Sequence, residues 1–273
     1  ITVTAPSETL ARLSFQRFFR FFHRLAGMTG TAKEASGELW HIYGLPVVSI
    51  PPNRPCQRKI YPRRIFAEQE PKWQAIVQEV AERHAMGQPV LVGTRSVRAS
   101  EELSARLHKL GLSFRVLNAI RHREEAGIIA QAGERGSITV ATNMAGRGTD
   151  IRLGTGVPRL GGLHVIATEC HEAPRIDRQL FGRCARQGDP GSARSFVSLE
   201  DELLCRYVPA PARNSIKNVL RLRGFASTWA AEQIVRWAQR RPQSMAFHRR
   251  KTVLRTDTWL DDSLSFAPGD VGS

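Results

Sequence analysis

The stretch Thr142-Asn143-Met144-Ala145-Gly146-Arg147-Gly148-Thr149-Asp150-Ile151 decides how the rest of this chain is interpreted. It follows Ser137-Ile138-Thr139-Val140-Ala141, a run of β-branched residues that predicts a buried strand. Gly146 and Gly148 flank Arg147, and glycine permits a sharp turn that brings a guanidinium and a carboxylate close to a ligand. The sequence therefore predicts a ligand-binding loop at the end of a strand.

A second arginine-rich element lies downstream, QLFGRCARQGD (Gln179–Asp189). If this element is helical, Arg183 and Arg186 are three residues apart and share one face of the helix. Two guanidinium groups beside a loop that carries arginine and aspartate suit a polyphosphate better than an apolar core. The alternative is a pair of surface loops with solvated arginines.

The composition is that of a soluble chain with enough apolar residues for a sizeable core, in one or two domains over 273 residues. It contains no run of eighteen apolar residues and no signal peptide, and its first residue is Ile1, which suggests a fragment or a processed chain. Its cysteines form no CxxC pair, so we expect reduced thiols and no metal site. We interpret His164 and His171 as structural or surface residues.

The net charge of +15 comes mostly from arginine. Such a surface favours anionic lipid or nucleic acid. Arginines spread over solvated faces explain the charge equally well, so composition leaves both interpretations open.

From Glu68 onward, short apolar runs alternate with helical patterns of about ten residues, which predicts a doubly wound parallel sheet with a ligand at the carboxyl ends of its strands. The predicted strands are Val90–Val92, Phe114–Leu117, Ile138–Ala141, Leu163–Ala167 and Arg194–Val197. The predicted helices lie around Trp73–Val80, Ser100–Leu110 and Glu124–Ala132.

The flanks have a different character. Ser7–Tyr43 shows helical spacing of leucine and phenylalanine, and Leu45–Ile50 predicts a short strand. Prolines between Pro51 and Pro55 break regular structure, as does the Val208–Pro211 segment. In the helical sequence that follows, Pro242 predicts an interruption, because a proline inside a helix costs about 3 kcal/mol.

NMAGRGTDI, followed by GGLHVIATECHEAPRIDRQLFGRCARQGDPGSARSFVSLEDELL, resembles the SecA family, the ATPase motors of bacterial preprotein translocation. The first element is similar to helicase motif V and the second to motif VI. LAGMTGTA (Leu25–Ala32) is similar to the motif III region, and GQPVLVGTRSV (Gly87–Val97) to the opening strand of the second motor domain. The resemblance implies an α/β fold, a RecA-like doubly wound parallel sheet of the P-loop NTPase class, with α-helical flanks.

The resemblance also implies four regions. Residues 1–50 would be the tail of the first nucleotide-binding domain, and 51–67 the inter-domain linker. Residues 68–207 would be the second RecA-like nucleotide-binding domain, and 208–273 a partial, diverged helical scaffold with its tail.

By the same resemblance the ligand is ATP, and the chain supplies the arginine-finger half of its cleft. Arg183 and Arg186 would reach the phosphates, Asp150 would contact the sugar side, and Arg147 would couple nucleotide state to domain closure. The remaining nucleotide-binding positions implied are Gly146, Gly148, Thr149 and Gln179. The chain contains neither a GxxxxGK[ST] loop nor a DExD segment, so the missing first nucleotide-binding domain would hold Mg²⁺. We expect the chain alone to be inactive as an ATPase.

The implied partners are a SecYEG-type channel, preproteins, anionic lipid and that first domain, with the protein peripheral at the inner face of the cell membrane. A diverged, non-catalytic accessory module is the alternative, and a nucleic-acid helicase fragment fits the motifs less well. The chain departs from the family pattern at Phe181, Cys170 and Ala173-Pro174, and at Ala185, where the family has glycine. We expect Ala185 to be harmless because the segment is predicted to be helical.

Overall fold

A computed structural model describes residues 14–117, 127–142, 149–221 and 225–265, without the side chains of 225–227, 257–258 and 260–265. The chain divides into two compact units. One comprises Pro51–Gln243, and the other comprises Ile1–Ile50 with Ser244–Ser273. Within the described ranges, no helix combines the length and the apolar content needed to span a bilayer.

The strands of the larger unit are β1 (Gln57–Ile60), β2 (Arg64–Phe66), β3 (Val90–Thr94), β4 (Arg115–Leu117), β5 (Ile138–Thr142), β6 (Leu163–Ala167) and β7 (Pro190–Ser198). The helices of the chain are α1 (Phe15–Arg20), α2 (Ser36–Tyr43), α3 (Gln69–Ala85), α4 (Val97–Lys109), α5 (Pro174–Phe181), α6 (Glu202–Tyr207), α7 (Ala210–Arg221) and α8 (Phe225–Ser265). Helix α4 is capped at its amino end by Ser96, whose side chain accepts a hydrogen bond from the Ala99 amide at 3.1 Å.

The strands form one parallel sheet in the order β1-β7-β6-β3-β5-β4, with β2 also paired to β7. Strand β1 pairs with the first half of β7, from Gln57 opposite Pro190, and β2 pairs with its second half, from Arg64 opposite Phe196. The segment expected to be a linker therefore contributes two edge strands to the sheet.

Apolar residues cover both faces of the sheet. Along β3, Val90 and Val92 pack with helices α3 and α4, whereas Leu91 packs on the other face with Leu180 of α5. This alternation follows from the two-residue period of a strand. It confirms the predicted doubly wound α/β architecture, and the strand predicted at Leu163–Ala167 has those bounds.

The flanks correct three predictions. Residues 45–50 form no strand, and the described part of Ser7–Tyr43, which begins at residue 14, contains a 3₁₀ turn at Lys33–Ala35 and only two α-helices, α1 and α2. Gly27 and Gly30 lie in the non-helical segment between them, where glycine weakens a helix. The predicted helix Glu124–Ala132 lies partly outside the described residues, and residues 127–130 are helical.

The third correction concerns Pro242, which lies inside the continuous helix α8 rather than interrupting it. The helix before this proline is anchored by Ala231, Val235 and Ala238, which are fully buried at helical spacing. Packing of this apolar face outweighs the local preference of proline.

Candidate functional site

The structure brings the end of the first motif into contact with the second. Arg186 Nη1 donates to Asp150 Oδ1 at 2.9 Å, and Gln187 Nε2 donates to Asp150 Oδ2 at 3.1 Å. Arg183 Nη1 donates to the Thr149 carbonyl oxygen at 3.1 Å. Four of the predicted site residues therefore lie together, and Gln187 joins them although sequence reasoning did not select it.

The two arginines lie in a turn rather than on a helix. Helix α5 ends at Phe181, and the Gly182 amide donates to the Arg178 carbonyl at 2.7 Å as the helix closes. Arg186 Nε then donates back to the Gly182 carbonyl at 2.9 Å. This contact fixes the guanidinium of Arg186 against the end of α5 and leaves its Nη1 for Asp150.

Ala185 and Gln187 have φ values of 54° and 53°, in the left-handed region that favours glycine. A side chain there costs about 1–2 kcal/mol. The expectation that alanine is harmless at position 185 is therefore wrong, because the segment is not helical. The segment 182–189, called the arginine loop below, is held in a strained conformation.

The arginine loop packs against the first residues of β7. Cys184 is 1% exposed, and its Sγ lies 3.4 Å from the Ser192 carbonyl oxygen. Burial raises the pKa of the Cys184 thiol, which is therefore a protonated, buried side chain. Gly191 allows this close approach, because a Cβ there would lie 2.7 Å from the Ala185 nitrogen. The site thus lies beside the amino end of β7, whereas we expected it at the carboxyl edge of the sheet.

Residues before and within β1 contact the same loop. Arg58 donates from Nε and Nη2 to the Cys184 carbonyl at 3.2 and 2.9 Å. Gln57 Nε2 donates to the Gly188 carbonyl at 2.6 Å. No short-range pattern predicts these contacts, because the partners are more than 120 positions apart and meet only through the register of β1 on β7.

The other predicted site residues are placed as follows. Gly146, Arg147 and Gly148 lie outside the described residues. Gln179 is exposed on α5, four positions before Arg183.

His171 Nδ1 lies 2.5 Å from Asp177 Oδ1, and Gln239 of α8 donates to Asp177 Oδ2 at 2.8 Å. His164 Nε2 lies 3.1 Å from Glu79 Oε1, and burial lowers the pKa of the His164 imidazole. Both histidines thus have carboxylate neighbours in the interior.

The SLEDELL stretch, Ser198–Leu204, contributes Asp201 to a buried ion pair with Lys72 of α3. Lys72 Nζ lies 2.6 Å from Asp201 Oδ1, and the Ser198 amide donates to Asp201 Oδ2 at 2.8 Å. Burial raises the pKa of Asp201 to about 6, while the Lys72 ammonium acts in the opposite direction. This pair joins α3 to the end of β7.

The geometry of the site suits an anionic ligand. The side chains of Arg186 and Asp150 are 37% and 38% exposed, so the guanidinium is accessible while it is paired. Phosphate oxygens accept bidentate hydrogen bonds from guanidinium and compete with a carboxylate for it. The site can therefore exchange an internal carboxylate for a phosphate group.

Comparison with known protein families places these elements in a wider context. A family model described as the SecA P-loop domain matches residues 55–159 and 155–224, and one described as the SecA DEAD-like domain matches residues 1–40. The first match spans the whole sheet and the arginine loop. It agrees with the predicted RecA-like class of the α/β fold.

Relatives of high identity carry names from protein translocation. The chain is 52% identical over 265 residues to protein translocase subunit SecA 2 of Chlorobium chlorochromatii, covering 97% of this chain and 40% of the relative. It is 50% identical over 266 residues to SecA 2 of Magnetococcus marinus, covering 97% of this chain and 41% of that one. It is also 50% identical over 266 residues to SecA of Desulfovibrio desulfuricans, covering 96% of this chain and 30% of that protein. The chain thus spans less than half the length of these relatives, and the matches show that it belongs to the SecA family.

Proposed function

We propose that this chain is part of an ATP-dependent motor that drives preproteins across the bacterial cytoplasmic membrane, and that it supplies the arginine-finger half of the ATP cleft. The observation that carries this proposal is the contact of Arg186 with Asp150 and of Arg183 with Thr149. These contacts join the two motifs, since Arg186 and Asp150 are 36 positions apart and Arg183 and Thr149 are 34 positions apart.

In this proposal the two arginines stabilise negative charge on the phosphoryl group during its transfer. Arginine fingers contribute through electrostatics, and they act only when another element places the phosphate and Mg²⁺. The first nucleotide-binding domain would provide that element. Asp150 would bind the sugar side of the nucleotide, which frees Arg186 from the ion pair as the cleft closes. Gly146, Arg147, Gly148, Thr149 and Gln179 would complete the nucleotide contacts.

We also propose the division of the chain that this role requires. Residues 1–50 would be the tail of the first domain, 51–67 the linker, 68–207 the second domain and 208–273 the start of the scaffold. The linker, in this proposal, carries β1 and β2 into the sheet of the second domain.

The proposed partners are a SecYEG-type channel, preproteins and anionic lipid at the inner face of the cell membrane. The names of the relatives, each a protein translocase subunit, support this assignment. The net charge of +15 supports the lipid contact.

The test joins this chain to a matching first nucleotide-binding domain from a relative. We expect the joined protein to hydrolyse ATP and to move a preprotein into inverted membrane vesicles, and we expect the chain alone to do neither. The control is the same first domain joined to the relative's own second half.

A joined protein that binds ATP but does not hydrolyse it, beside an active control, would contradict the proposal. It would favour the non-catalytic accessory module. The feature that favours this alternative is Ala185, whose positive φ value is strained for a residue other than glycine.

A further inference from the structure

We infer that Arg58, together with Gln57 and Arg54, positions the arginine loop, so that the segment entering β1 sets the placement of Arg183 and Arg186. This inference rests on the proposed function. None of the described contacts of Arg58, Gln57 and Arg54 is with Asp150.

The contacts that support it all go to backbone carbonyls of the arginine loop. Arg58 donates twice to Cys184 O, Gln57 donates to Gly188 O, and Arg54 Nη1 donates to Gln187 O at 3.4 Å. Because the acceptors belong to the backbone, these side chains fix the path of the loop rather than one side chain in it. The acceptors lie on both sides of Arg186.

The loop needs such support, since its conformation is unfavourable by itself. Ala185 and Gln187 have positive φ values, and non-glycine residues keep that conformation only where their surroundings enforce it. Arg54 also packs on Gly188, where a Cβ would lie 2.9 Å from its Cδ. Gly188 has φ +85°, so the close approach of the arginine and the turn both depend on glycine.

The location of these side chains links the segment that enters β1 to the position of the arginine loop. They lie directly after Pro51–Pro52, where the chain enters the larger unit, and β1 is paired in register with β7 through Arg58 opposite Gly191. A displacement of the entering segment would move the loop carbonyls and with them the guanidinium groups. A shift of about 1 Å in a catalytic group can slow a reaction roughly 100-fold.

The first experiment uses the isolated chain and does not depend on catalysis. Hydrogen exchange of the amides in 182–189 is compared between wild type, Arg58→Ala and Lys59→Ala. Lys59 is the matched control, since it is exposed on the same strand and no described contact joins its side chain to the loop. We expect at least about fivefold faster exchange in Arg58→Ala and none of this change in the control. Equal exchange in all three would overturn the inference.

The second experiment uses the joined protein and measures single-turnover hydrolysis beside ATP affinity. We expect Arg58→Ala to slow hydrolysis roughly 10- to 100-fold with ATP affinity changed less than about threefold, and Arg58→Lys to recover part of the rate. Gln57→Ala, which removes one uncharged donor, should have a smaller effect of the same kind. If Arg58→Ala does not fold, Gln57→Ala and Arg54→Ala provide the same comparison.

A double substitution separates this inference from the proposed function. If Arg58 acts through Arg183 and Arg186, then Arg58→Ala combined with Arg186→Ala should lose less rate than the sum of the two single losses in free energy. Fully additive losses, or an unaffected Arg58→Ala beside a slow Arg186→Ala, would overturn the positioning role and leave the arginine-finger role intact. An unaffected Arg186→Ala would instead contradict the proposed function.

Discussion

Asp150 accepts one hydrogen bond on each carboxylate oxygen, from Arg186 at 2.9 Å and from Gln187 at 3.1 Å. The pair with Arg186 is partly exposed, and exposed ion pairs of this kind contribute roughly 0–1 kcal/mol. A contact this weak is readily exchanged for a ligand. The buried pair between Lys72 and Asp201 differs, because neither side chain can be hydrated.

Lys72→Met tests that buried pair. Removal of the ammonium leaves Asp201 buried without its counter-charge, so the free energy of unfolding should fall by about 3–5 kcal/mol at pH 7. The pKa of Asp201, already raised to about 6, should rise further. The folded state then binds a proton that the unfolded state lacks, so the variant should gain stability as the pH falls from 8 to 5.

Denaturant unfolding at several pH values measures this response. Lys72→Met combined with Asp201→Asn is the control, and it should lack the gain at low pH. If Lys72→Met became less stable on acidification, the assignment of the pH response to Asp201 would be wrong.

At the scale of elements, a continuous run of apolar residues is enough to predict the strands that are buried on both faces of the sheet. The β-branched run before Thr142 predicted β5, and Leu163–Ala167 predicted β6, because strands buried on both faces are continuously apolar. Strand β1 was not predicted because its residues are largely polar, and β2 was not predicted because it has only three residues. Both strands are stabilised by pairing with β7. Distant residues also shape the arginine loop, whose turn depends on Gly191 and Arg58 as well as on its own Gly188.

Pro242 gives a prediction at this scale. It is buried within α8 and lacks the N–H that would bond to the carbonyl four residues earlier. Pro242→Ala restores that hydrogen bond at the expense of some buried apolar surface, so we expect the free energy of unfolding to rise by about 1–3 kcal/mol. Arg240→Ala on the exposed side of the same turn should change it by less than about 0.5 kcal/mol. A less stable Pro242→Ala, measured by chemical denaturation, would show that ring packing outweighs the backbone term.

For the whole molecule, the dominant feature is its positive charge, since the chain has 40 basic and 25 acidic side chains. Several arginines are neutralised internally, including Arg106 by Glu70 and Arg194 by Glu79. The excess nevertheless leaves a net positive chain. Such a chain is attracted to anionic surfaces over a distance set by the salt concentration.

We therefore expect the chain to float with vesicles that contain anionic lipid and to dissociate as salt increases from about 0.05 to 0.5 M. Each basic group near the surface contributes about 1 kcal/mol and is screened by salt. Neutral vesicles are the control. Equal binding to both vesicle types would exclude this electrostatic mechanism, and binding insensitive to salt would point to the exposed phenylalanines in and beside α1, among them Phe15 and Phe21.

The central claim is that Arg183 and Arg186 stabilise the transferred phosphoryl group, and single-turnover hydrolysis by the joined protein tests it most directly. We expect Arg186→Ala to slow hydrolysis by roughly 10³- to 10⁵-fold while ATP affinity falls much less. Asp150→Ala should mainly weaken nucleotide binding, and Arg206→Ala, an exposed arginine outside the site, should match the wild type. If Arg186→Ala hydrolysed ATP within about twofold of the wild-type rate, the barrier would have changed by under about 0.5 kcal/mol, and the arginine-finger assignment would be contradicted.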